Sequence, residues 1–250
     1  MSEPLKEPPL IEAICELRFV KNPFDDVELV EGLCRRLAND FPQRTDVPVT
    51  LVNVALARDA APNISTPNGS RVVQLKRADA SAMAQLAPRA LVVNHLRPYA
   101  SWPQFRGLIT DVVKAFRELA PAMTHEQIGL RYINFHALPA VAADVRVQDW
   151  LRVAPPTGAP LDRAMRGYLQ RYEMVVEDPP ATTFIHQVGT ALLPDRAFGI
   201  MLDLDFSSAT PAVDSAEQLV AWLDRAHAAI SDAFVRSITD SAYTRFKEGA

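Results

Sequence analysis

Twice along the chain, a set of short segments with alternating apolar residues ends in a long stretch whose apolar residues return every three or four positions. Alternation at period two marks a strand with one buried face, and a return near 3.6 marks a helix with one buried stripe. In "IEAICELRF" (11–19), Ile11, Ala13, Cys15, Leu17 and Phe19 share a face against Glu12, Glu16 and Arg18, with Ile14 the exception. After Asn22-Pro23, Asp25 and Glu28 read as a capping box for a helix with the stripe Val30, Leu33, Cys34, Leu37 and Phe41, closed by Pro42. Segment 49–59 reads as a strand, "AAPNISTPNGS" as an irregular loop, and 71–77, 82–87 and 90–96 as a meander of three strands. Ser101 and Gln104 then box the start of a helix at Trp102-Pro103, with Phe105, Leu108, Ile109, Val112, Phe116 and Leu119 along one side.

Beyond Pro121 the order recurs: a strand at 128–138, a short helix at 147–153, strands at 169–177, 182–192 and 198–206, and one long closing helix. Ser215 and Gln218 open that helix, and Leu219, Trp222, Leu223, Ile230, Phe234 and Ile238 form its stripe. Residues 1–121 and 122–250 are therefore expected to be two equivalent β-α-β(3–4)-α units. Each has helices enough to cover only one sheet face. The expected class is α+β, one continuous antiparallel sheet with the long helices on one side. This order resembles a duplicated TATA-binding-protein-like fold and, less closely, the helix-grip fold.

The bulk numbers set bounds on function. A chain of 250 residues with 48% hydrophobic and 22% charged residues is an ordinary globular protein that needs no disulfide or metal staple. A net charge of -4 supplies no basic footprint for extended nucleic-acid binding. Cys15 and Cys34 both fall at apolar positions, so no disulfide is expected. No apolar run approaches the ~18 residues of a membrane span, and "MSEPLKEPPL" is too acidic and proline-rich for a signal peptide. The expected location is a reducing cytoplasm.

The segment "GLRYINFH" (129–136) interrupts its own apolar pattern on both faces. Arg131 shares a face with Ile133 and Phe135, while Tyr132, Asn134 and His136 point the other way with Leu130. Arg131 could offer its planar fork to a carboxylate or phosphate, or pair internally with an acid such as Asp203. A second group, Asn94, His95, Arg97, Tyr99 and Trp102, lies where a strand turns into a helix, so Trp102 could stack a ligand or anchor the helix start. The expected binding set is Arg131, Tyr132, Asn134, His136, Trp102 and Asn94. Asp203 and Asp205 share a face about 7 Å apart; too few oxygen donors accompany them for a metal, and a solvated strand face is the simpler reading. His227 sits at the edge of its helix's apolar stripe and reads as a satisfied core histidine. With no HExxH, no zinc spacing, no GxSxG elbow and only 9 glycines, no phosphate loop among them, neither catalytic residues nor metal nor cofactor is expected.

The segments "PPLIEAICELRF", "LVVNHLRPYASWPQF", "IGLRYINF", "LDLDF" and "AHAAISDAFVRSITD" are spread along nearly the whole chain, from residue 8 to residue 240. In combination they resemble the spaced motifs of a sporadically distributed family of uncharacterised bacterial proteins of about this length. The resemblance implies a stand-alone bacterial protein, and patchy occurrence suggests a defence or toxin-associated setting. The expected function is non-catalytic recognition, with a protein partner or a second copy meeting the sheet. Two alternatives stay open. One is nucleic-acid binding by the sheet, which needs Arg58, Arg71, Lys76, Arg77, Arg89, Arg97 and Arg131 to converge. The other is a ligand or enzyme pocket between sheet and long helix, built from Trp102, Tyr132, Asn134 and His227. No membrane partner is expected.

Overall fold

The alternating segments become neighbours in one sheet. A computed structural model describes residues 5–48, 53–55, 63–65, 71–138, 147–153, 167–192, 198–209 and 213–249. The chain runs β1 (Leu10–Phe19), α1 (Val27–Leu37), β2 (Gln43–Pro48), β3 (Asn53–Ala55), β4 (Asn63–Ser65), β5 (Arg71–Lys76), β6 (Ala82–Ala87), β7 (Ala90–Leu96), α2 (Trp102–Leu119), β8 (His125–Leu138), β9 (Gly167–Val176), β10 (Thr182–Leu192), β11 (Phe198–Ala209), α3 (Ala216–Ser237) and α4 (Asp240–Glu248). Single 3-10 turns lie at Pro23–Asp25 and Val147–Asp149. Nine strands form an antiparallel sheet in the order β2-β5-β6-β7-β1-β8-β11-β10-β9, and β3 and β4 pair separately.

In each half the opening strand returns to lie beside the last strand before the long helix, β1 beside β7 and β8 beside β11. The halves then join through β1 and β8, where Ala13 faces Tyr132, Cys15 faces Leu130 and Leu17 faces Ile128. These side chains point to the helix layer and merge with the stripes of α1, α2 and α3 into one core. Its largest fully buried members include Phe19, Phe105 and Phe206. Each contributes on the order of 1.5–3 kcal/mol by leaving water. The fold is thus α+β with one large antiparallel sheet and its helices on one face. Among the described residues, no helix is long and apolar enough to cross a membrane.

Several local expectations change. The helix after Asn22-Pro23 is capped by Asp26, whose carboxylate accepts from the Glu28 and Leu29 amides, while Asp25 takes the Asn22 side-chain amide. The intervening 3-10 turn shifts the start by one residue. Strand β2 is additional: "QRTDVP" has no alternating apolar pattern because it is a solvent-facing edge. Of the segment 49–59, only β3 lies within the described residues. The closing helix is two helices, because Ile238 is extended and Thr239 caps α4 through the Ala242 amide. Both halves of the Ser215/Gln218 capping box form.

Candidate functional site

Alternation along β8 sends neighbouring side chains to opposite sides of the sheet, and this divides the expected binding set. Trp102, Tyr132 and Asn134 line a cavity of about 340 Å³ between the sheet and α3. His136 shares their face but packs on Trp150 and Phe246, ring centroids 4.4 and 5.2 Å away, beside a hollow of about 20 Å³. Asn134 borders both spaces and donates its amide to the Leu202 carbonyl at 3.2 Å. Arg131 and Asn94 lie on the opposite face, which no helix covers among the described residues, and take no part in the cavity.

On that open face Arg131 grips Asp203 in a two-point pair, Nε to Oδ1 at 2.8 Å and a terminal nitrogen to Oδ2 at 2.5 Å. Asn94 belongs to a row of side-chain hydrogen bonds crossing four strands. Gln74 donates to Gln85 at 3.2 Å, Gln85 to Asn94 at 3.0 Å, and Asn94 to Glu12 at 2.7 Å. Both residues are therefore occupied by neighbours in the sheet. Asp203 is buried, which corrects the reading of Asp203 and Asp205 as a solvated face. Asp205 is partly buried, and its carboxyl is pushed up to about 6 by burial, then by Asp203 and Glu16, against the pull of Arg131.

The cavity is built from a short run of complementary contacts. The Tyr99 and Tyr132 hydroxyls meet at 3.1 Å, and the Tyr132 hydroxyl reaches His227 Nδ1 at 3.0 Å. His227 Nε2 faces the Ser231 hydroxyl at 3.5 Å. Trp102 stacks on His227 with centroids 4.2 Å apart and planes 6° from parallel. Its indole nitrogen donates to Asp224 at 2.8 Å, and Arg106 grips both oxygens of that carboxylate at 2.7 and 2.8 Å. Burial alone would raise the Asp224 carboxyl; the bonds from Arg106 and Trp102 outweigh it and hold it below its usual value. Asp224 thus fixes Trp102, and Trp102 fixes the imidazole plane.

Burial determines the charge of this cluster. The His227 imidazole is lowered to about 4, the Tyr99 phenol is raised to about 12, and the Tyr132 phenol rises well above its ordinary value. At neutral pH all three are uncharged. Two proton arrangements satisfy the chain, one donating from Tyr99 towards Ser231 and the other running in reverse. Either way the cluster can meet a donor or an acceptor. Leu5, Pro8 and Pro9 supply an apolar wall, held because Arg97 donates to the Pro9, Leu10 and Phe135 carbonyls and Glu7 pairs with Phe246. Tyr243 of α4 also lines the cavity.

No protein-family model matches the chain, and no curated protein matches it. Among solved structures it is similar to the crystal structure of the di-domain ARO/CYC StfQ from the steffimycin biosynthetic pathway, at 11% identity over 96% of this chain and 98% of that one. The TM-score is 0.19, so the two folds do not superpose and the likeness bears nothing on the site.

Sequence reasoning placed Trp102, Tyr132, Asn134 and His227 around one pocket, and they line one cavity. Asp224, Arg106 and Ser231 escaped it. A helical signal existed for two of them, since Asp224, His227 and Ser231 follow one another at i, i+3 and i+7. Among the described residues no group of three or more metal-ligating side chains comes together.

Proposed function

We propose that the protein binds a small, uncharged, partly aromatic molecule in the cavity between the sheet and α3. The observation that carries this reading is a half-open cleft lined mainly by aromatic and apolar side chains, with the neutral hydrogen-bonded chain Tyr99–Tyr132–His227 on its wall and Asn134 and Ser101 as further uncharged polar groups. A volume of about 340 Å³ lies at the small end of ligand pockets, roughly 300–1,000 Å³. Among the described residues no Asp, Glu, Lys or Arg lines the cavity, and nearby Asp224 is engaged by Arg106 and Trp102, so an uncharged ligand fits best. Binding fits better than turnover. A His227 imidazole near 4 is a weak general base at neutral pH, and its 3.5 Å contact does not activate Ser231.

Natively purified protein, denatured and surveyed by untargeted mass spectrometry, is expected to release a small molecule absent from a His227→Leu control. That variant fills the space while removing both polar contacts, and re-added ligand should bind it about tenfold more weakly. Release of nothing, together with no thermal shift across a panel of neutral phenols and aryl ketones, would overturn the proposal.

Recognition of a protein partner is the second reading, and the exposed edge of β9 favours it. The alternative of nucleic-acid binding has less support. Arg71 pairs with Asp46, Arg89 with Glu126 and Arg131 with Asp203, Arg97 holds backbone carbonyls, and Arg58 lies outside the described residues. A defence or toxin-associated setting rests on the sequence resemblance alone.

A further inference from the structure

The two edges of the sheet are finished in opposite ways. At one, β2 is six residues long, polar, ends at Pro48, and has Arg44 bound to Asp46 and Glu31. Those are the devices that stop an edge from recruiting another strand. At the other, β9 is ten residues long, carries no proline, and pairs only with β10 among the described residues. It exposes four large apolar side chains: Leu169 at 66%, Tyr172 at 46%, Met174 at 42% and Val175 at 87%. An edge that long and apolar is a template for strand addition.

The order of residues on β9 identifies the strand that fits. Let a second β9 run antiparallel beside it, with a two-fold axis through Tyr172 perpendicular to the sheet. Arg171 of each copy then faces Glu173 of the other, Leu169 faces Val175, and Gln170 faces Met174. Opposite charges meet twice and the most exposed apolar residues cover one another, as cross-strand pairing rewards. Moving the axis one residue either way destroys the match: centred on Arg171 it sets Leu169 against Glu173, and centred on Glu173 it sets Arg171 against Val175. We infer that the protein is a two-fold dimer joined through β9 at the Tyr172 register, doubling the nine-stranded sheet with both helix layers on the same side. A self-complementary patch is what an isologous interface requires. The inference is independent of the ligand cavity, whose lining includes no residue of β9.

Sedimentation equilibrium of the full chain should give twice the chain mass. Glu173→Arg sets arginine against Arg171 at two places and should return the single mass, while Arg171→Glu combined with Glu173→Arg restores complementarity and should restore the dimer. Register is read separately with a short bis-maleimide. Tyr172→Cys, on the axis, should crosslink; Val175→Cys should not, because its symmetry mate is six residues, roughly 20 Å, away along the strand. A wild-type protein of single mass at its highest soluble concentration would overturn the inference. So would a dimer indifferent to Glu173→Arg, or equal crosslinking at both positions.

Discussion

At the scale of single residues, the open sheet face holds the most consequential charges. Arg131 is half-exposed while its partner Asp203 is buried, so the two ends of one ion pair have different stakes. Removing the arginine leaves a buried carboxylate without its two-point partner. Arg131→Ala should lower stability by about 2 kcal/mol in urea titration, the usual cost of breaking a buried pair discounted for the solvated end. A midpoint equal to wild type would show that Asp203 finds other compensation. Asp205 behaves oppositely. Its carboxyl, pushed from 3.8 to about 6, binds its proton more tightly folded than unfolded. This group therefore favours folding fully below about pH 4 and loses that contribution as pH rises through 6. Asp205→Asn, neutral throughout, should be more stable than wild type by about 1–2 kcal/mol at pH 7, with the gain vanishing near pH 4. A gain unchanged between those pH values would mean that the buried charge of Asp205 is not its source.

At the scale of elements, what could be read from sequence depended on whether a segment sees one environment or two. Strands β1, β5 and β6 alternate because one face meets helices and the other does not, and the alternation survives in the sequence. Strand β2 meets solvent on nearly every side, and a strand defined only by its backbone partner β5 leaves no apolar signature. The break between α3 and α4 was hidden for a different reason. Ile238 continues the apolar spacing of α3, yet its backbone is extended and bridges to Leu151. Thr239 is the residue that makes this corner, accepting from the Ala242 amide at 3.2 Å and donating to the Asp149 carbonyl at 2.6 Å. Thr239→Ala loses both bonds and should cost about 1–2 kcal/mol, near the top of the range for helix caps. Because α4 carries Tyr243 to the cavity wall, hydrogen exchange should quicken in α4 before it does in α3. Uniform protection across both helices would count against Thr239 as the local anchor.

At the scale of the whole molecule, the two strand sets that meet at the β1–β8 seam share one sheet and one cavity. The cavity lies where they meet, with Tyr99 and Trp102 from before β8, Tyr132 on β8, and His227 and Ser231 from α3. Periodicity could place each of these on a face; only the tertiary crossing of α2 and α3, tied by Trp102 and Arg106 to Asp224, brings them together. The same crossing makes separate folding costly. Without residues 122–250, β1 loses its pairing with β8 in the middle of the sheet, and α2 loses both Asp224 and the Val213 carbonyl that takes Arg117. Cys15, Leu17 and Phe19 would then flank an open central edge, a worse liability than β9, because the core side chains of that edge are almost wholly buried in the intact chain. Residues 1–121 expressed alone should aggregate or lack a cooperative melt, whereas co-expression with residues 122–250 should recover a soluble complex with the tryptophan fluorescence of the intact protein. A monomeric 1–121 fragment that unfolds in one sharp transition would mean that the β1–β8 seam joins two finished domains instead of completing one.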